Sequence, residues 1–180
     1  MRPDAPGISV NGRDLRIDPV TREFETVTGT VQFGNTFGDW GNRFLCSESQ
    51  PLQHAVIPQD YLQRNPYLAV PRAVYNIAPG PVSSFRISPL DRWRQVRSSR
   101  RIAHGSRAPT SAGASHQVID AAAGVTVDRG GAYGNEYYGN IFIGGAQNNL
   151  IHRRTLFPNG VTFASQRADK NTEFVRFSDK

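Results

Sequence analysis

Short runs of alternating apolar and polar residues, broken every few positions by Gly, Pro, Asn or Asp, extend along this chain. A period of two places successive side chains on opposite faces of a strand, so each run predicts a half-buried β-strand. The first is Asp14-Leu15-Arg16-Ile17-Asp18, with a second at residues 24–28, together a hairpin. Between them Asp18-Pro19-Val20-Thr21 predicts a turn, because Asp can accept bonds from the backbone ahead of it and Pro presets φ. A turn at 37–42 leads to strands at 43–47 and 52–57, and residues 58–66 read as a turn or one short helix. Strands resume at 69–77 and 82–87, with one more around Trp93. After residue 115 come strands at 123–127, 140–144 and 149–156, a compact segment at 133–138, and a closing strand at 161–166. Asn159-Gly160 before that last strand suits a tight hairpin turn, which wants positive φ. No segment sustains a helical period.

One stretch matches another within the chain. Gly41-Asn42-x-Phe44-Leu45, with Leu52 and His54 behind it, recurs as Gly139-Asn140-x-Phe142-Ile143, with Leu150 and His152. Each position is displaced by 98 residues, as from Gly41 to Gly139, so modules near 37–57 and 135–156 repeat as units. Propeller blades run about 40–50 residues. The displacement therefore predicts two blade lengths, with residues 69–87 and the Trp93 strand as a blade between the modules. The fold expected is all-β, an incomplete β-propeller of about three to four antiparallel blades. A β-sandwich is the rival, since it too joins short strands by regular turns. The strand-like Phe174-Val175-Arg176-Phe177 at the end predicts further blades beyond residue 180.

Composition supports this picture. The chain has 180 residues, of which 38% are hydrophobic and 20% charged, with 17 Gly and 12 Pro. That places it among globular, turn-rich proteins and treats residues 1–180 as one partial domain. No apolar run is long enough to span a membrane, and residues 1–7 hold no signal-peptide core. Cys46 is the single cysteine and reads as a small core residue beside Phe44 and Leu45. Much of the net charge of +6 lies between Arg92 and Arg107, and residues 98–115 read as a solvated loop insertion rich in Ser, Arg, Gly, Ala and Pro. Without a recognisable nucleic-acid module, the basic patch gives no reason to expect nucleic acid as a partner.

Several segments resemble one family. They are Asp14-Leu15-Arg16-Ile17-Asp18-Pro19-Val20-Thr21, Asp39-Trp40-Gly41-Asn42-Arg43-Phe44-Leu45-Cys46-Ser47, Arg64-Asn65-Pro66-Tyr67-Leu68, Phe85-Arg86-Ile87-Ser88-Pro89 through Trp93-Arg94, Gly124-Val125-Thr126-Val127 and Asn149-Leu150-Ile151-His152-Arg153. They resemble the propeller domain of the membrane-bound dehydrogenases of large exported bacterial proteins, which is similar to quinoprotein glucose/sorbosone dehydrogenases. The resemblance implies a parent that oxidises a sugar or other alcohol in the periplasm or at a membrane. It implies pyrroloquinoline quinone and calcium as cofactors, and the remaining propeller blades and a c-type haem domain as partners. The chain departs from the family's pattern at Pro51, Gly145 and Asp128. Neither Pro nor Gly can serve as a base or a metal ligand through its side chain.

Within that resemblance, His54 and His152 are the candidate general bases, because an imidazole titrates near neutrality. Their equivalent repeat positions equally suit partly buried structural histidines. Arg43 and Arg153 could clamp a quinone carboxylate by paired bonds, and Gln53 could bond a polar ligand. Each could instead pair or pack with protein. No metal ligand is assigned, since His-x-His, Cys-x-x-Cys and EF-hand spacings are all missing. A non-catalytic propeller binding a protein or glycan is the other reading, favoured by Pro51 and Gly145.

Overall fold

The computed structural model describes residues 7–178 apart from 66, 68, 71, 90, 106–117 and 120. The first hairpin forms as its sequence predicts, from β1 (Arg13–Ile17) and β2 (Phe24–Thr28). Asp18 Oδ1 accepts bonds from the Val20 and Thr21 amides at 2.8 and 3.0 Å, which shapes the turn. Two larger antiparallel sheets follow. The first comprises β3 (Gly34–Phe37), β4 (Arg43–Cys46), β5 (Gln53–Ala55) and β6 (Val74–Asn76), in chain order. A short helix, α1 (Gln59–Arg64), lies in the connection from β5 to β6. The second sheet comprises β7 (Ala122–Val127), β8 (Ile141–Gly145), β9 (Leu150–Asn159) and β10 (Thr162–Arg167), again in chain order. A two-residue β11 (Val175–Arg176) pairs with β9 at Ile151 and Leu150. The protein is thus mostly β, with three antiparallel sheets.

The two larger sheets enclose one core. Phe44, Cys46 and Leu52 of the first meet Val125, Ile141, Ile143 and Leu150 of the second. At one end the backbones of β3 and β7 nearly touch, and the Val127 amide donates to Thr36 Oγ1 at 3.2 Å. At the other, β10 lies over the first sheet, where Thr162 meets His54 and Ser165 Oγ donates to the Ile77 carbonyl. The repeated modules therefore pack directly on one another. Among the described residues no sheet forms between them: the 69–77 strand is β6, the fourth strand of the first sheet, and residues 82–87 make only an isolated bridge, Ser83 to Val118.

Where a strand was expected at Trp93 there is a helix, α2 (Arg92–Ala103), which also replaces the first part of the expected 98–115 loop. Residues 106–115 of that loop lie outside the described residues. Arg is a good helix former, but Trp93, Val96 and Ile102 are about half exposed and form no buried stripe, so no helical period marks α2. The last hairpin turns one residue later than expected. Asn159 still pairs with Thr162, and Gly160 alone supplies the positive φ, of 61°.

The internal repeat is not a strict copy in three dimensions. In the first sheet Phe44 pairs with His54, whereas in the second Ile143 pairs with His152 and Phe142 with Arg153. This one-residue slip turns Phe142 to the opposite face from Phe44, because strand side chains alternate. Phe44 is in the core, while Phe142 packs outside it against Tyr133 and Phe174.

The sheet contact gives a direct prediction. A Cβ on Gly34 would fall 3.2 Å from Gly124 Cα and from the Val125 nitrogen, which are backbone atoms with little freedom to move. Gly34→Ala is expected to destabilise by about 1–3 kcal/mol in urea unfolding, as overpacking does. Gly38→Ala, whose nearest neighbour would be Phe44 Cε2 at 3.6 Å, should change stability much less.

Candidate functional site

His152 is fully buried on β9. Its Nδ1 lies 2.7 Å from Glu173 Oε2, and its Nε2 lies 3.3 Å from Arg154 Nη1. A guanidinium can only donate, so Nε2 must accept and Nδ1 carries the proton that Glu173 receives. The ring is therefore the neutral Nδ1–H tautomer. Burial holds its pKa below the ordinary histidine value, against the opposing pull of Glu173. Glu173 is itself enclosed, accepting at Oε1 from the Phe85 amide at 2.9 Å and Arg167 Nη1 at 3.1 Å. Arg154 continues the network to Ser165 Oγ and the Ser165 carbonyl, both at 2.8 Å. Burial and the neighbouring Arg167 bring its pKa down to about 10.

His54 shares none of these partners. Its Nδ1 lies 2.9 Å from Thr162 Oγ1, its ring stacks on Phe44 at 5.2 Å, and Phe163 meets it edge-on at 5.1 Å. It is buried, and burial lowers its pKa as well. The two histidines thus fasten different pairs of segments, His54 tying β5 to β10 and His152 tying β9 to the segment before β11. Both ring nitrogens of His152 are bonded to protein, and His54 is bonded at Nδ1.

Arg43 sits at the edge of an open cleft of about 480 Å³, lined with Leu15, Ile17, Phe37, Ile57 and Asp60, between the first hairpin and the outer face of the first sheet. Its guanidinium is already held, donating to Asp14 Oδ2 at 2.7 Å and to the Thr28 carbonyl at 2.8 Å. That ion pair clamps the hairpin to the sheet. Gln53, on the same face of the sheet as Arg43, donates to the Gln50 side chain. Arg153 makes a two-pronged pair with Asp169, at 2.7 and 3.1 Å, and lies over the Tyr137 ring at 4.6 Å. The Asp169 bonds raise its pKa.

The structure thus brings Arg43 and Gln53 to one face of the first sheet and leaves His54, His152 and Arg153 in separate settings. As placed, these residues do not fit a quinone site: both arginines are spent on aspartates and both histidines are enclosed. Pro51 is buried beside Leu52. At Gly145 a Cβ would fall 2.9 Å from Leu150 Cδ1, so a carboxylate there would have to displace a core leucine. Among the described residues no group of three or more His, Cys, Asp or Glu is placed to hold a metal, and no helix is long and apolar enough to cross a membrane. Sequence reasoning missed Asp14, Thr162, Asp169 and Glu173, the partners that hold Arg43, His54, Arg153 and His152. They lie 16 to 108 residues from the groups they bind, so no spacing signals them.

These features define a mostly β domain whose stacked sheets are fastened by buried histidine and arginine contacts. Over residues 2–180 the chain matches the family model described as Domain of unknown function (DUF7133), and it belongs to that family. No curated protein and no solved structure matches it.

The pH dependence of stability follows from the buried rings. Both histidines bind protons more weakly when folded, so the unfolded chain carries more protons between the lowered values and the ordinary 6.5. Stability therefore rises with pH through that window and falls as the medium is acidified. Urea melts from about pH 7.5 down to about pH 5 should show that loss, and His54→Phe should flatten the slope. Separately, His152→Leu strands Glu173 Oε2 and should cost about 1–3 kcal/mol at neutral pH.

Proposed function

We propose that this chain is a non-catalytic binding and scaffolding segment of a β-propeller, contributing two adjacent blades to a larger exported protein. Two antiparallel meanders in chain order, stacked with β3 beside β7 and β10 over the first sheet, support the blade reading. A sandwich could share that stacking, but the outward face of the second sheet favours another blade. There Tyr133, Tyr137, Phe142 and Phe174 gather into an aromatic cluster beside a cleft of about 390 Å³, and Tyr133 is 55% exposed. Such a surface on one face calls for a covering sheet. In this reading the 98-residue displacement is one blade plus an insertion that carries α2, rather than two blades.

The observation that carries the non-catalytic role is the enclosure of His152, with both ring nitrogens bonded to protein. The family resemblance supports a second reading, in which the parent oxidises a sugar or other alcohol in the periplasm or at the membrane, with further blades and a c-type haem domain. In that protein the histidines and arginines described here are framework, and pyrroloquinoline quinone with calcium is held elsewhere.

A dye-reduction assay separates the two roles. The chain, supplied with pyrroloquinoline quinone and Ca²⁺ and a panel of sugars and alcohols, is expected to reduce no dye. Turnover that disappears in His152→Gln or His54→Gln would place catalysis here and overturn the proposal.

A further inference from the structure

The two sheets offer an internal comparison at the turns that join their first and second strands. In the first sheet the Gly38 amide donates to the Asn42 carbonyl at 2.9 Å and the Gly41 amide to the Gly38 carbonyl at 3.1 Å. In the second the Asp128 amide donates to the Asn140 carbonyl at 2.9 Å and the Gly139 amide to the Asp128 carbonyl at 2.8 Å. Gly41 and Gly139 both take left-handed φ, of 78° and 75°. This is one glycine bulge used twice, with Asp128 standing where the first sheet has Gly38. The second turn is eight residues longer, and its insertion carries Gly130, Gly131, Gly134, Asn135 and Glu136.

That exchange puts a carboxylate and an amide on two backbone-paired residues. Asp128 and Asn140 are bonded through their backbones at 2.9 Å, and at the equivalent positions of the first sheet a Cβ built at Gly38 would stand 3.9 Å from Asn42 Cβ. Asp128 Oδ1 accepts from the Gly130 amide at 3.0 Å, but Oδ2 has no partner and is shielded from solvent. Asn140 is 4% exposed, and its Nδ2 donates to the Glu136 carbonyl at 2.9 Å. That bond fixes the amide orientation and leaves Oδ1 shielded and without a partner as well. Each is a shielded acceptor on one of two backbone-paired residues, and each calls for a positive or donating group. The guanidinium of Arg129, next in the chain, is spoken for: its Nε donates to Asp39 Oδ1 at 2.7 Å.

We infer that the Asp128–Asn140 loop is a binding site for a calcium-sized hard cation, with Asp128 Oδ2 and Asn140 Oδ1 as its protein side-chain ligands. A carboxylate and an amide oxygen are the donors such an ion takes, and water and loop carbonyls complete its shell. A site with one carboxylate belongs to the weak end of the calcium range, where Kd is about 0.1–1 mM. The inference concerns this loop alone and does not depend on the proposed function.

Tyr133, Tyr137 and Tyr138 lie in the same loop, so Tb³⁺ bound there should emit when tyrosine is excited. In the full chain, saturable emission that Ca²⁺ displaces is expected, together with a Tm that rises with Ca²⁺ up to about 10 mM. Asp128→Asn, which keeps the bond to Gly130, should weaken binding about tenfold or more. Asn140→Asp should bind at least as tightly as the parent chain. If Asp128→Asn does not fold, the Asn140→Asp result decides. Sensitised emission and Tm both indifferent to cation in the folded chain would mean only a bridging water and overturn the site. So would unchanged affinity in a folded Asp128→Asn or weakened affinity in Asn140→Asp.

Discussion

The backbones of β3 and β7 approach so closely that a Cβ on Gly34 would crowd Gly124 Cα and the Val125 nitrogen at 3.2 Å. This contact fixes how the two sheets face one another. With the first strands pinned, the later strands of each meander stack over one another, and β10 reaches His54 and the Ile77 carbonyl. The apolar residues between them have one common volume to fill. Cys46 takes a place in it beside Phe44 and Leu52, where burial raises its thiol pKa and makes it an inert packing residue.

Polar groups inside this stack act as directional ties where hydrophobic contact alone would tolerate sliding. His54 joins β5 to β10 through Thr162, and His152 joins β9 to the segment before β11 through Glu173. Glu173 in turn gathers the Phe85 amide and Arg167, so the stretch around residue 85 is held against the second sheet without forming a strand. Arg43 does the same for the first hairpin through Asp14. Each of these groups is tied to a partner, and a network of this kind specifies one arrangement because any shift leaves a polar atom unpaired. The same commitment leaves no free base or clamp among these residues.

Strands whose signal is local were legible in the sequence. The Asp18 turn, the alternation of 14–18 and 24–28, and the Asn159-Gly160 hairpin all act through neighbouring residues, and they formed within a residue of where they were expected. The repeated motif falls on β4–β5 and on β8–β9. It could not show that a register slip sends Phe142 outward, since a one-residue change in loop geometry leaves the sequence match intact. Gly34–Phe37 was missed because its central Asn and Thr carry no apolar alternation, and β3 owes its strand to pairing with β4. The placement of the candidate side chains was the least legible part, since Asp14, Thr162, Asp169 and Glu173 decide it from distant positions.

The central claim is that the repeated modules are direct neighbours joined through their first strands. Nuclear Overhauser spectra of the chain with glycine labelled at its α position test it most directly. Cross-peaks between the α protons of Gly34 and Gly124 are expected, from the proximity of those two backbones. A folded chain in which both glycines show sequential and in-sheet cross-peaks but none to each other would contradict it.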